Sequence, residues 1–263
     1  MDTTSASSSS SSRFAAVAIV AAALLLLPVL SAADDWEEAH ATFYGDETGA
    51  ETMQGACGYG NLFDQGYGLD TTALSVALFN EGWSCGSCYE LRCTGSPACA
   101  TGGSSTVTVT ATNLCPANYS KPNENWCNPP LRHFDLSKPM FLRLVTDFHV
   151  GIIPVQYRRV ACAGKRGGVR FEMQGNRWWV AMLVFNVAGA GDVKAVAAKG
   201  SRDGGWMDLS RSWGQIWSNG DGRLVGQGVS FRVVASDGRS VELDDVVPPQ
   251  WAFGQSFEGK GQF

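Results

Sequence analysis

The sequence predicts a mainly β protein of two domains, and three observations support this prediction. Glycine accounts for 31 of the 263 residues and tryptophan for nine, a composition that favours short strands joined by tight turns. Apolar and polar residues alternate along residues 106–112, as expected for a half-buried strand. All eight cysteines lie between residues 57 and 162, and residues 163–263 contain none, which divides the chain into two parts of different character.

The overall composition excludes two classes of protein. Hydrophobic residues make up 44% of the chain and charged residues 17%, whereas disordered chains are poorer in apolar residues and richer in charge. The formal net charge is -5, whereas nucleic-acid-binding proteins normally carry a basic excess. We therefore expect a globular protein with no nucleic-acid partner.

The N-terminal segment has the order of features of a secretory signal. An apolar run at residues 14–30 follows a serine-rich stretch that carries Arg13, and small residues at 31–33 follow the run. A membrane anchor is the alternative, but the run is at the short end of the roughly 17–25 residues that span a bilayer, and Pro28 interrupts it. We expect residues 1–33 to be removed, leaving a secreted protein with no stable membrane span.

The cysteines indicate a disulfide framework in the first domain, residues 34–162. An even number of cysteines in a secreted chain is typical of disulfides, but spacing alone does not select one of the possible pairings. Cys85 and Cys88 also have the spacing of zinc ligands. No second close pair of ligands follows them, so we expect disulfides and no metal.

The second domain, residues 169–263, is predicted to be a β-sandwich. A polar, glycine-rich segment at 163–168 is expected to be a flexible link. Strand patterns follow, and Asp237-Gly238 between the last two predicts a hairpin. These strands are predicted at residues 169–173, 178–187, 193–198, 228–235 and 240–243. In the first domain, short helices are predicted at 73–79 and 139–145.

Several strings in the sequence together resemble one protein family. The most specific string is WCNPPLRHFDL at residues 126–136. It is accompanied by ATFYG at 41–45, CGSCYE at 85–90, TATN at 110–113 and WGQIW at 213–217. The combination resembles the expansins, of the α class, over essentially the whole chain after residue 33.

The resemblance implies a fold, a location and a set of partners. The fold is a six-stranded double-psi β-barrel followed by an immunoglobulin-like β-sandwich that binds carbohydrate. The location is the extracellular cell wall, and the partners are cellulose and matrix glucans such as xyloglucan, bound by a monomer without a cofactor. The disulfide pairs it implies are Cys57–Cys85, Cys88–Cys162, Cys93–Cys99 and Cys115–Cys127.

The resemblance also extends to the barrel of inverting endoglucanases, which need a carboxylic acid and a carboxylate base. Asp135 matches the acid, and Asn113 lies where some relatives carry an aspartate. Thr42 and Tyr44 match residues of the family's groove. Asp46 follows Tyr44 at the spacing of a base, but it lies in a polar loop with two other acids and is interpreted as a solvated carboxylate.

His133 and the tryptophans are the remaining candidates. His133 is either a sugar contact or a buried structural residue. Trp179 and Trp213 match surface aromatics of the family's binding face, and Trp178 matches an aromatic in some relatives. Adjacent residues on a strand point to opposite faces, so Trp178 and Trp179 cannot both face one core. The core is the expected place of Trp206 and Trp217.

One further motif is the N-glycosylation acceptor that begins at Asn118. It follows Pro116 in a stretch typical of a loop. A secreted chain would expose this site to the glycosylation machinery.

The function predicted from these features is wall loosening without hydrolysis, by disruption of noncovalent contacts between cellulose and matrix glucans. The first alternative is an inverting β-glucan endohydrolase with Asp135 as acid and Asp46 as base. The second is a small lectin-like wall binder with no loosening action. Because wall loosening without hydrolysis is the main prediction, we expect that the protein is not an enzyme.

Overall fold

A computed structural model of the protein describes residues 1–2, 36–100 and 105–263. All but the first two residues of the predicted signal peptide at 1–33, and with them its cleavage site, lie outside the described residues. Within the described residues, no helix is long and apolar enough to cross a membrane.

Six strands close the first domain into a barrel, in the order β1-β5-β2-β4-β3-β6. The pairs β1–β5 and β2–β4 are parallel, and β1 and β6 close the barrel in antiparallel orientation. The six-stranded barrel that the resemblance implied is thus confirmed. Its strands are β1 Glu37–Tyr44, β2 Thr71–Leu74, β3 Cys88–Cys93, β4 Thr106–Leu114, β5 His133–Ser137 and β6 Ile153–Val160.

The two helices of the barrel domain are shorter than predicted. The first, α1, spans Val76–Phe79, and the second, α2, spans Lys138–Leu142. Ala73 was expected in the first helix but lies in β2, where it pairs with Asp135 of β5 and Asn113 of β4. Pairing on both sides therefore outweighs the helix preference of this short apolar segment.

Eight strands form the second domain, in the order β13-β12-β9-β10-β11-β8-β7-β14. Their bounds are β7 Arg170–Asn176, β8 Trp179–Phe185, β9 Val193–Gly200, β10 Met207–Trp213, β11 Ile216–Ser218, β12 Val229–Ala235, β13 Ser240–Val247 and β14 Ser256–Glu258. The start of β10 pairs with β9 and its end pairs with β11, so this strand passes from one layer to the other. Phe171 of β7 stacks on Phe231 of β12 with ring centroids 3.9 Å apart, which confirms the two-layered sandwich.

The outer face of one layer packs against the barrel. Along β8, Val180, Met182 and Val184 point into the sandwich core, and the alternate residues point outward. Two of these, Leu183 and Phe185, belong to the same hydrophobic cluster as the barrel interior. The two domains therefore share a continuous apolar contact.

Hydrogen bonds add specificity to this interface. The backbone N–H of Gln215 donates to the carbonyl of Cys57 (3.0 Å), and its side chain donates to the carbonyl of Cys85 (2.9 Å). Arg159 of β6 forms an ion pair with Asp192 of the sandwich (2.7 Å). These directional contacts fix how the barrel sits on the sandwich.

The connecting segment at 163–168 is anchored rather than free. The side chain of Asn186 donates to the carbonyls of Arg166 and Gly168, both at 2.8 Å. The ammonium of Lys165 lies 4.2 Å from the ring centroid of Tyr67, and burial lowers its pKa to about 8. The flexible link expected from composition is thus held by both domains.

Four disulfides cross-link the barrel domain, and all eight cysteines lie within the described residues and are paired. The observed pairs confirm the pairing that the resemblance implied. They are Cys57–Cys85, Cys88–Cys162, Cys93–Cys99 and Cys115–Cys127.

We expect the disulfides to contribute unequally to stability. Cys88–Cys162 joins residues 74 positions apart and Cys93–Cys99 residues 6 apart. In the chain-entropy model these loops correspond to about 4 and about 2 kcal/mol. Replacing both members of the long-range pair by alanine should therefore lower the free energy of unfolding by about 2 kcal/mol more than replacing both members of the short-range pair. Chemical denaturation measures the difference, and equal losses would contradict the expectation.

Candidate functional site

A row of four side chains crosses the outside of the barrel on four neighbouring strands. Thr42 of β1 pairs with Asp135 of β5, which pairs with Ala73 of β2, which pairs with Asn113 of β4. Residues directly opposite one another on paired strands share a face. Because the flanking residue Phe134 lies in the barrel core, the row faces outward. Ala73 has the smallest side chain of the row and lies between Asp135 and Asn113. We call the surface formed by these four residues the groove.

A hydroxyl links the acid of this groove to a histidine. The Thr42 hydroxyl donates to Oδ1 of Asp135 (2.7 Å) and lies 2.8 Å from Nε2 of His133. A hydroxyl carries one hydrogen, so Nε2 of a neutral imidazole donates the second bond to Thr42. His133 is thus a buried positioning residue that holds Thr42 against Asp135, and its Nδ1 has no hydrogen-bond partner within the described residues.

Burial sets the protonation states of the groove. It raises the pKa of Asp135 to about 6, although the bond from Thr42 acts in the opposite direction. It lowers the pKa of His133 to about 4, and His40 contributes to this lowering. It raises the pKa of Tyr44 to about 12. Between pH 4 and 6 the groove therefore holds a protonated carboxyl beside a neutral imidazole.

The other polar candidates near the groove do not supply a second buried carboxylate. Asn113 is an amide, and its Oδ1 accepts from the backbone N–H groups of Ala56 and Leu114, both at 2.8 Å. Asp46 lies in the exposed loop after β1 and accepts from the hydroxyl of Thr48 (2.8 Å), which lowers its pKa. Asp46 is thus a solvated carboxylate bonded within its own loop.

Two tryptophans share the outer face of the sandwich. Trp179 begins β8 and lies on the same side of that strand as Leu183, and Trp213 of β10 pairs with Ile216. Both Leu183 and Ile216 face the barrel, so Trp179 and Trp213 lie on that face as well. Their side chains are 37% and 49% exposed, which leaves part of each ring open for stacking.

The other tryptophans have different surroundings. Trp178 is 73% exposed just before β8, with the guanidinium of Arg177 4.6 Å from its ring centroid. Trp217 is buried in the sandwich core, as predicted. The prediction of a core position for Trp206 is wrong: the ring is half-buried on the opposite layer. There it contacts Lys199 and Arg232, whose cations lie 4.7 and 4.4 Å from its centroid.

One loop contacts both the groove and the aromatic face. Ala56 bonds to Asn113, as described above, and Gly58 lies against the ring of Trp213 so closely that a Cβ would come within 3.3 Å of it. Gly58 also has φ +85°, a conformation that favours glycine. The groove and the aromatic face are therefore neighbours on one side of the protein.

Two residues beside the groove escaped prediction as site residues, His40 and Trp126. His40 lies two positions before Thr42 on β1 and pairs with His133, so the alternation of β1 would have identified it. The ring of Trp126 is 4.7 Å from that of His40. Trp126 lies in the most specific string of the sequence, but a loop residue has no periodicity that predicts where it points.

The glycosylation acceptor is accessible, and the described residues offer no metal site. Asn118 lies exposed in the loop between Cys115 and Cys127, and its Oδ1 accepts from the hydroxyl of Ser120 (2.7 Å). In the part of the chain that the structure describes, no three His, Cys, Asp or Glu side chains are arranged to hold a metal ion.

Comparison with known proteins gives matches to both domains. Residues 169–248 match the expansin C-terminal domain, and residues 71–157 match a double-psi β-barrel family described as lytic transglycolase. Expansin-A23 of Arabidopsis thaliana is 53% identical over 228 residues, which cover 87% of this chain and 81% of the relative. Putative expansin-A30 of Oryza sativa subsp. japonica is 49% identical over 233 residues, covering 87% and 86%.

The fold also matches a solved structure, the apo expansin of Clavibacter michiganensis. The TM-score is 0.64 at 21% identity, covering 86% of this chain and 97% of the other. A mutant of that expansin, solved in complex with cellohexaose, matches with the same score and coverage. At this identity the likeness concerns the fold.

We expect Asp135→Asn to change how stability depends on pH. The pKa of Asp135 is raised from 3.8 to about 6 in the folded state, so its favourable contribution is complete below about pH 4 and is lost as the pH rises through 6. As the pH rises from 4 to 7, the free energy of unfolding of the variant should therefore increase by about 2–3 kcal/mol relative to that of the parent. Denaturation of both proteins across this range measures the gain. Parallel pH profiles would show that the carboxyl is not buried as described.

Proposed function

Because the chain belongs to the expansin family, we propose that it loosens cell walls without hydrolysis, by disrupting noncovalent contacts between cellulose and matrix glucans such as xyloglucan. It would act as a secreted monomer in the extracellular wall after removal of residues 1–33. The observation that carries the proposal is that the groove holds one half-buried carboxyl, Asp135, with an amide, Asn113, on the far side of Ala73.

The sandwich would anchor the protein on a flat glucan surface. Pyranose rings present rows of C–H groups that pack on aromatic faces without a deep pocket. Trp179 and Trp213 share one outer face and are partly exposed, and Trp178 is exposed next to Trp179. The cellohexaose complex of an expansin with this fold supports a glucan chain as the ligand.

The barrel groove would hold a second chain by hydrogen bonds. In mild acid Asp135 is protonated and donates a hydrogen bond to a glucan oxygen, while Thr42 keeps the carboxyl in position. Tyr44 and Asn113 would provide further polar contacts along the groove. A carboxyl without a base to activate water does not complete an inverting hydrolysis, so the glycosidic bond stays intact.

The domain interface would couple the two binding surfaces. Gln215 fixes the sandwich to the barrel backbone with two hydrogen bonds, and Arg159 pairs with Asp192. A protein anchored through its sandwich therefore presents the groove at a set position relative to the anchored chain. A neighbouring chain held there is displaced from its original contacts when the wall is under load.

The first alternative, an inverting β-glucan endohydrolase, would use Asp46 as its base. Inversion requires the two carboxyl groups to face each other across the scissile bond at roughly 6.5–9.5 Å. Asp46 is exposed and bonded within its own loop, which argues against this role. The second alternative, a wall binder without loosening action, differs from the proposal in one measurable property, the extension of walls under load.

We expect the parent protein to extend isolated cell walls under load without releasing reducing ends, and more strongly at pH 5 than at pH 7. The pH dependence follows from the raised pKa of Asp135, since the protonated carboxyl is the hydrogen-bond donor. Asp135→Asn should greatly reduce extension at pH 5. Creep rate and reducing ends are measured on the same wall specimens over a long incubation.

The matched control for this experiment is Asp46→Asn, which should extend walls like the parent. Reducing ends released by the parent and lost in both Asp135→Asn and Asp46→Asn would overturn the non-hydrolytic proposal and establish the hydrolase. Binding to walls without any extension by the parent would establish the simple binder.

We also expect Trp179→Ala and Trp213→Ala each to weaken binding to insoluble cellulose. Loss of one aromatic platform corresponds to about 1 kcal/mol, or several-fold in affinity. The control is Trp206→Ala, which removes a tryptophan from the opposite layer and should bind like the parent. A depletion assay with cellulose measures all three variants, and parent-like binding by both Trp179→Ala and Trp213→Ala would show that the proposed face is wrong.

A further inference from the structure

The loop between Cys115 and Cys127 is held in a defined conformation beside the groove. The disulfide closes the loop at its two ends. The buried side chain of Asn128 donates to the carbonyls of Asn118 (3.1 Å) and Lys121 (3.2 Å) and accepts from the N–H of Asn118 (2.7 Å). An amide whose oxygen and nitrogen are both bonded within one loop acts as an internal brace. The loop is therefore a preorganised surface.

This loop presents Trp126 at the edge of the groove. The indole is 41% exposed, although its ring lies 4.7 Å from that of His40 and is stacked on His133 at 6.5 Å with a tilt of 24°. His133 is two residues from Asp135 on β5, and His40 is two residues from Thr42 on β1. Trp126 thus flanks the groove at one side, and its contacts with the rings of His40 and His133 hold the indole in place.

A concave surface of about 350 Å³ lies next to the indole, within the range of small-ligand pockets. Its lining includes the apolar side chains of Pro122 and Leu131 and the amides of Asn123 and Asn125. Apolar faces beside amide donors and acceptors suit a pyranose ring, which has C–H faces and equatorial hydroxyls. The charge-free lining favours a neutral sugar over a uronate or a phosphate.

We propose that Trp126 and the concave surface beside it form a subsite for one glucose residue of a β-glucan chain that lies in the barrel groove. The inference rests on the proposed function and adds a contact to it. The indole stacks on the C–H face of the sugar, and the amides of Asn123 and Asn125 bond to its hydroxyls.

The subsite has a mechanical consequence for the groove. Trp126 flanks the groove at His133, and the loop that contacts Trp213 flanks it at Asn113. A chain held at both sides cannot turn away from Asp135 between them. A glucan chain that is already immobilised on both sides loses little further conformational entropy when one of its oxygens bonds to the carboxyl of Asp135.

The first test uses the unmodified protein and cellohexaose as the probe. Hydroxyl-radical footprinting with mass spectrometry reports the exposure of each aromatic ring. At saturating cellohexaose, labelling of Trp126 should fall at least twofold, as should that of Trp179 and Trp213. Tyr119 is the internal control, because it is 72% exposed in the same loop and should stay fully labelled.

The second test adds Trp126→Ala to a protein that already carries Trp179→Ala and Trp213→Ala. In this background cellohexaose binding at the sandwich face is weakened, so that binding at the groove can be measured. Stacking contributions of about 0.5–1.5 kcal/mol correspond to a loss of about two- to tenfold in affinity for cellohexaose, measured by calorimetry. Trp126→Phe should lose less, since a ring remains. Tyr119→Ala is the matched control and preserves the glycosylation acceptor at Asn118.

The outcomes separate this inference from the proposed function. Protection of Trp179 and Trp213 without protection of Trp126, or equal affinities of the background and its Trp126→Ala derivative, would overturn the subsite and leave the proposed function intact. No protection of any tryptophan together with no wall extension by the parent would overturn the proposed function itself. Protection of Tyr119 along with Trp126 would indicate a loop rearrangement and would also overturn the subsite.

Discussion

The parallel pairing of β1 with β5 is the constraint on which the candidate site depends. It brings Thr42 beside Asp135, and the same register places His40 opposite His133. No local interaction brings these strands together, because more than 90 residues separate them in the chain, and the loop-closure entropy is offset only when the barrel closes. The acid, its hydroxyl partner and the supporting histidine are therefore assembled by one tertiary event, and a groove of this kind does not exist in a partly folded chain.

The outer face of one sandwich layer has two roles: one part packs against the barrel, and the other part exposes aromatic rings. Alternation along β8 sends Val180 and Met182 to the sandwich core and leaves Leu183 and Trp179 on the outer face. The barrel covers Leu183, whereas part of the Trp179 ring stays open. Hydrophobic burial is worth about 25 cal/mol per Å², so the covered part of this face stabilises the domain arrangement. The open part remains available for a ligand, and its position relative to the groove follows from the covered part.

Sequence reasoning succeeded where the signal is local or carried by a specific string. The strict alternation of residues 106–112 predicted β4, and two of the family strings contain Thr42 and Asp135, which the structure places side by side on paired strands. It failed where a long-range contact decides the outcome. Ala73 joins β2 because strands on both sides pair with it. Trp206 lies half-buried outside the core, where two cations contact its ring. The raised pKa of Asp135 is likewise a property of burial, which composition and spacing do not encode.

In the proposed function, burial of Asp135 is also what would let a single carboxyl act without a catalytic partner. When a protonated carboxyl bonds to a glucan hydroxyl, it replaces its hydrogen bond to water by one to the sugar. Such a replacement changes the free energy by only about 1 kcal/mol. A contact of this strength forms and breaks readily, so it competes with the contacts between polysaccharide chains without trapping either chain. In the proposed function the aromatic face would supply the lasting attachment, because stacking on Trp179 and Trp213 does not depend on protonation. Division of labour between a firm anchor and a weak, pH-dependent grip is what slippage without bond cleavage requires.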